Sequence, residues 1–233
     1  MLVTNHSFPF MVDFIKENHY ENFVDLVQYD VPITAQILNR YKNFNERVSK
    51  NLKIKTVEFT STKAVKPYVK PVFDLINKTY TEIYGFTKLT EDEMTEFAER
   101  FLPLLNPKLI KMITDENGEL LAFIIAMADL SEAIKNSRGR ILPFGWARIL
   151  WAMKTSKRLQ LLLGAIHPNY QNKGLDAVLA TMLFGSALKL GFKTVDSHLI
   201  MKDNLKMRGE IEKLDGFNLY KEYCIFRKNL VVG

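Results

Sequence analysis

The segment at residues 167–176, HPNYQNKGLD, concentrates the residue types that can hold an anion. Gln171 and Asn172 bring side-chain amides, Lys173 a positive charge and Gly174 a backbone without a Cβ. They stand immediately before a run in which Leu175, Val178, Leu179, Met182, Leu183 and Leu190 recur at three- and four-residue steps, the period of one helix face. The short apolar run LQLLLGAI precedes the loop. Strand, loop and helix in this order aim free backbone N–H groups and the positive end of the helix dipole at one spot, which suits a phosphate. Downstream, Gly191 is placed as a left-handed cap, and residues 193–201 read as a further strand whose alternation puts Asp196, His198 and Ile200 on one face. A histidine titrates near neutrality and can act as a base there.

The elements that must position this loop are legible upstream. A strand, IKTVEF, begins at Ile54, and Pro67 and Pro71 then open a helix whose face carries Val72, Phe73, Ile76, Tyr80 and Ile83 and which Gly85 closes. Thr90 with Glu93 three residues on forms a capping box for a second helix, striped by Met94, Phe97, Ala98 and Phe101 and stopped by Pro103. Residues 108–113 and 119–128 read as strands of a hairpin, joined by a turn ending in Asn117-Gly118.

With 233 residues, 47% hydrophobic and 25% charged, the chain can bury a substantial core in one domain of ordinary size plus an extension. Cys224 is the single cysteine, so no internal disulfide forms and a reducing, cytoplasmic setting is expected. No apolar run approaches the roughly 20 residues a membrane span needs. The net charge of +6 is scattered rather than massed, which fits a phosphate-rich ligand and argues against nucleic acid.

Residues 170–176, YQNKGLD, resemble the pyrophosphate-binding signature of the GNAT acyltransferase superfamily: Gln or Arg, two residues, Gly, one residue, then Gly or Ala. Gln171 and Gly174 match, whereas Asp176 stands where a small residue is usual. Asn204, the helical run 205–214 and Gly216-Phe217 are similar to the "Asn, helix, Gly-Phe" ending of that superfamily. The resemblance implies an α/β (α+β) fold with a mixed, mostly antiparallel sheet and helices on both faces, over residues 53–233. The whole chain resembles a little-characterised two-lobe GNAT-like group, which implies that residues 1–52 are the remnant of a preceding lobe plus linker, packing on the main domain or mediating a homodimer.

The resemblance further implies an acyl-CoA-dependent N-acyltransferase, taking acetyl-CoA or a longer acyl-CoA as substrate and an amine as acceptor, with no metal. The strand residues Leu163, Gly164, Ala165 and Ile166 would hold the thioester carbonyl through backbone N–H groups. Gln171, Asn172, Lys173, Gly174, Leu175 and Asp176 would wrap the pyrophosphate, Gly174 allowing close approach, and Asn204 would contact the pantetheine arm. The superfamily's general-acid Tyr position holds Glu212, which leaves Tyr220 or Tyr223 as acids. Glu82, Asp129 and His198 are candidate bases, and His167 is expected to position backbone. The alternative is a non-catalytic acyl-CoA-binding or scaffolding lobe.

An insertion at residues 129–158 carries a helix pattern after Pro143 in which Phe144, Trp146, Ile149, Leu150, Trp151 and Met153 exceed one apolar stripe, with Arg148 and Lys154 on what remains. It reads as an ordinary core helix, as a lid lining an acyl chain, or as a peripheral membrane contact through Phe144, Trp146 and Trp151.

Overall fold

The computed structural model describes residues 7–138 and 145–229; Pro143 and Phe144 lie outside the described residues. The elements in chain order are α1 (Phe10–Glu17), β1 (Glu21–Pro32), α2 (Ala35–Leu52), β2 (Lys55–Glu58), α3 (Thr62–Val65), α4 (Val69–Thr79), α5 (Glu91–Phe101), β3 (Ile110–Thr114), β4 (Leu120–Ala128), α6 (Ser131–Asn136), α7 (Gly145–Thr155), β5 (Arg158–Ile166), α8 (Leu175–Lys189), β6 (Thr194–Asp196), β7 (Ile200–Met201), α9 (Leu205–Ile211) and β8 (Asn218–Arg227). They fall into two compact units. A central unit comprises Ile33–Ala128 and Lys157–Val195, and a terminal unit comprises Met1–Pro32, Asp129–Ser156 and Asp196–Gly233.

In the central unit β2, β3, β4 and β5 pair antiparallel in that order. The alternation of strand side chains sorts the core into two layers. Ile110, Met112, Phe123 and Ile125 pack with Val72, Leu75 and Ile76 of α4. Ile113 and Ala122 alternate to the other face, and with Leu121 they cluster with Val48 of α2 and Leu175, Val178 and Leu179 of α8. The β3–β4 turn closes where expected, with Gly118 at φ 89° and the Asp115 carboxylate accepting from the N–H groups of Asn117 and Glu119. The capping box forms at Thr90 and Glu93, so α5 begins where the sequence places it. Lys111, fully buried on β3, is held by Glu58 and by Ser186 of α8.

α4 ends sooner than the apolar pattern suggests. The helix stops at Thr79, and Ile83 sits in the following turn with a large exposed side chain. Asn77 explains the early end: its side chain donates to Leu89 C=O and accepts from Leu89 N–H, pinning the loop back on the helix.

In the terminal unit β1 pairs antiparallel with β8, from Glu21 opposite Arg227 to Asp30 opposite Asn218, and with β7 through Leu26 and Val27. The stretch 193–201 is not one continuous strand. It is broken between β6 and β7, where His198 adopts φ 60°, so the expected shared face of Asp196, His198 and Ile200 does not form. α7 leaves Trp146 51% and Trp151 69% exposed, which corrects the reading of an ordinary core helix.

Candidate functional site

The candidate anion loop lies in the central unit between β5 and α8. The N–H of His167 donates to Leu121 C=O, and its Nδ1 accepts from the N–H of Asn169, fixing the 3-10 turn Pro168–Tyr170. His167 thus positions backbone, with Lys78 Nζ 2.6 Å from its Nε2. The chain then takes two left-handed residues, Asn172 (φ 59°) and Gly174 (φ 86°), on either side of Lys173. Alternating handedness of this kind curls successive N–H groups toward one point. The helical ladder starts with Val178 N–H donating to Gly174 C=O, so the N–H groups of Leu175, Asp176 and Ala177 precede it and remain available at the positive end of the dipole. Gln171 donates from Nε2 to Ile166 C=O, and Lys173 Nζ lies 5.2 Å from the Tyr170 ring centre. The Asp176 carboxylate stands in the first turn of α8, where it competes with an incoming anion for the same dipole.

Gly174 has a second reason to be glycine. A Cβ there would come within 2.7 Å and 2.9 Å of the Phe44 ring and 3.1 Å of Val48. The side of Gly174 on which a Cβ would stand is filled by α2.

The strand candidates sit on β5. Ala165 is buried opposite Phe123, and Ile166 pairs with Ala122. Leu163 and Gly164 are exposed. A bulge between Leu161 and Leu163 shifts the register against β4. Next to it, Gly164 uses both backbone groups on one side chain: its N–H donates to the Tyr80 hydroxyl (3.2 Å), which donates to its C=O (2.9 Å). Sequence reasoning missed Tyr80, treating it as one more apolar position on α4. Glu82 lies in the turn after α4, exposed, rather than on the helix.

In the terminal unit a buried carboxylate gathers three donors. Asp196 Oδ1 accepts from Gln28 Nε2 (2.7 Å) and from His198 N–H (2.8 Å), and Oδ2 accepts from the Tyr220 hydroxyl (2.6 Å). Tyr220 and His198, two of the candidate catalytic residues, are therefore brought together through Asp196. Burial pushes the His198 imidazole below the ordinary histidine pKa, and its buried Nδ1 has no partner among the described residues. Tyr223 reaches Gln28 Oε1 at 3.5 Å.

The other candidates have structural partners. Asn204 Oδ1 accepts from Met207 N–H as the cap of α9. Glu212 accepts from the Tyr29 hydroxyl and pairs with Arg208, and the Tyr29 hydrogen bond, ahead of the guanidinium, draws its pKa down. Asp129 accepts from the N–H and hydroxyl of Ser131. Burial pushes the Cys224 thiol up, away from a reactive thiolate. Among the described residues no cluster of three or more His, Cys, Asp or Glu is placed to hold a metal ion, and no helix is long and apolar enough to cross a membrane.

No protein-family model matches the chain. It is similar to a bacterial ceramide synthase of Caulobacter vibrioides, 24% identical over 168 residues that cover 70% of this chain and 43% of that protein. It is also similar to the protein YghO of Escherichia coli, 24% identical over 233 residues covering 97% of this chain and 58% of that one. The chain thus spans about half the length of these curated relatives. Among solved structures it aligns with a tandem GNAT protein from the clavulanic acid biosynthesis pathway (TM-score 0.57, 11% identity, 97% of this chain and 60% of that one). It also aligns with a GCN5-related N-acetyltransferase from Sphaerobacter thermophilus (TM-score 0.56, 10% identity, 94% and 55%). A mostly antiparallel sheet flanked by helices, joined to these alignments, shows that the chain has the fold of the GCN5-related N-acetyltransferases.

Proposed function

We propose that the chain carries an acyl-CoA-dependent N-acyltransferase site that moves an acyl group, acetyl or longer, to the amine of an acceptor. The observation that carries this reading is the loop after β5, where Asn172 and Gly174 turn left-handed around Lys173 and the first N–H groups of α8 stand ahead of its ladder. Free N–H groups at the start of a helix attract an anion. In this fold the neighbouring strand β5 offers backbone N–H groups to a thioester carbonyl, which stabilises the negative charge that develops there during acyl transfer. The acceptor nitrogen forms the new C–N bond, the C–S bond breaks, and the amine's proton passes to a base while CoA leaves as the thiol. The sequence's candidates for proton transfer, His198 and Tyr220, are gathered on Asp196 within the terminal unit.

The name of the Caulobacter relative supports a long-chain acyl group or a long-chain amine, since a ceramide is an amide of such an amine. Each methylene of an acyl chain that becomes buried contributes about 0.8 kcal/mol, so affinity should climb with acyl length.

The second reading, an acyl-CoA-binding lobe without turnover, is favoured by one observation: the position where the superfamily carries its acid Tyr holds Glu212, tied up with Tyr29 and Arg208. Thermal unfolding with CoA thioesters from acetyl to palmitoyl, followed by thiol release with short- and long-chain amines, tests both. Stabilisation with release supports the transferase, and stabilisation without release supports the binding lobe. No stabilisation by any thioester contradicts both.

A further inference from the structure

The edge of β5 at Gly164 is closed by one phenol. In a strand the N–H and C=O of a residue point to the same side, and each must find a partner. Gly164 turns both away from β4 and gives both to the Tyr80 hydroxyl, at 3.2 Å and 2.9 Å. This happens immediately after the bulge at Leu162, which re-aims the strand, and at a glycine that is itself exposed. The phenol is held rather than free. Tyr80 stands at the C-terminal end of α4, its ring meets Phe86 edge-on at 5.6 Å, and the loop bearing Phe86 is pinned by the Asn77–Leu89 pair.

A hydroxyl oxygen that accepts from an N–H occupies the place a carbonyl oxygen would take. A thioester oxygen arriving at the Gly164 N–H therefore meets the phenol oxygen there, and the phenol proton, until then on the Gly164 C=O, has a new acceptor beside it. We propose that the Tyr80 hydroxyl and the Gly164 N–H together hold the acyl carbonyl oxygen of the donor, making Tyr80 a catalytic residue of the transfer. The inference rests on the acyl-CoA reading of the site above. In the exchange the phenol oxygen yields the Gly164 N–H to the acyl oxygen and turns its own proton from the Gly164 carbonyl to that same oxygen; no covalent bond forms or breaks at Tyr80, and the freed carbonyl, being exposed, takes a water. Burial pushes the phenol's pKa up, so it stays a donor at every working pH.

The test compares wild type with Tyr80→Phe. Acyl-CoA binding, read by calorimetry, should persist in the variant, because removing the phenol oxygen also frees the Gly164 N–H. Thiol release should fall about 10²-fold in kcat, with KM for the thioester little changed. Isotope-edited infrared spectra of bound ¹³C-carbonyl acyl-CoA provide a readout that needs no turnover. The carbonyl stretch should lie lower in wild type than in Tyr80→Phe, and lower still with 3-fluorotyrosine at position 80, a stronger donor. A thioester that binds wild type with the same stretch and the same kcat in Tyr80→Phe overturns the inference and leaves the functional reading intact. A wild type that binds no thioester overturns the functional reading and the inference with it.

Discussion

Gly174 is the position where packing and ligand chemistry make different demands, and a double-mutant cycle separates them. Gly174→Ala adds a methyl whose carbon would sit 2.7 Å and 2.9 Å from the Phe44 ring and 3.1 Å from Val48, at a residue with φ 86°. An L-residue in the left-handed region costs about 1–2 kcal/mol, and overpacking of this kind about 1–3 kcal/mol. The single variant should therefore lose about 2–5 kcal/mol in urea unfolding. In a Phe44→Ala background the ring is gone, so the same substitution should cost little more than the backbone share, about 1–2 kcal/mol. The difference, a coupling of about 1–3 kcal/mol, measures the contact between α2 and the loop directly. A coupling under about 0.5 kcal/mol would show that Phe44 does not press on Gly174.

Four further outcomes follow from particular contacts. Lys173→Glu places a carboxylate beside the candidate phosphate cradle while disturbing only an exposed side chain; CoA affinity by calorimetry should drop about tenfold, with stability within about 0.5 kcal/mol of wild type. His198 is held neutral by burial, so the unfolded chain takes its proton first as pH falls below about 6.5. Its contribution is thus complete above that value and is lost as pH drops toward the lower folded pKa, and His198→Asn, which tolerates the left-handed backbone, should flatten stability against pH in that window. Thr90→Ala removes the capping box of α5 and should cost about 0.5–2 kcal/mol by thermal or urea unfolding. Trp151→Ala, at a 69% exposed residue, should leave stability within about 0.5 kcal/mol by urea unfolding.

Features governed by neighbours in sequence were legible in it. The Asn117-Gly118 turn, the Thr90–Glu93 capping box and the left-handed Gly191 each depend on a few adjacent residues, and each stands where the pattern placed it. The turn into α8 was legible for the same reason, the left-handed Gly174 standing directly before the helix start. Long-range pairings left no such mark. Nothing local in residues 21–32 tells that they form β1 opposite residues 218–227, since any alternating strand offers the same edge. The approach of Phe44 to Gly174 joins residues 130 positions apart, and a glycine needed for packing carries the same letter as one needed for phosphate. The break at His198 was hidden because Asp196, whose carboxylate receives the His198 N–H, looks in sequence like one more alternating strand residue. Tyr80 was read by its apolar ring and the helical period, which say nothing of where its hydroxyl ends.

The pyrophosphate cradle is the claim on which the functional account stands, and amide spectra of ¹⁵N-labelled protein test it most directly. Adding CoA should shift the N–H resonances of Gly174, Leu175, Asp176 and Ala177 together, while pantetheine, which lacks the pyrophosphate, leaves them in place. If CoA binds without moving those four amides, or if pantetheine moves them equally, the loop after β5 does not hold the pyrophosphate and the account fails.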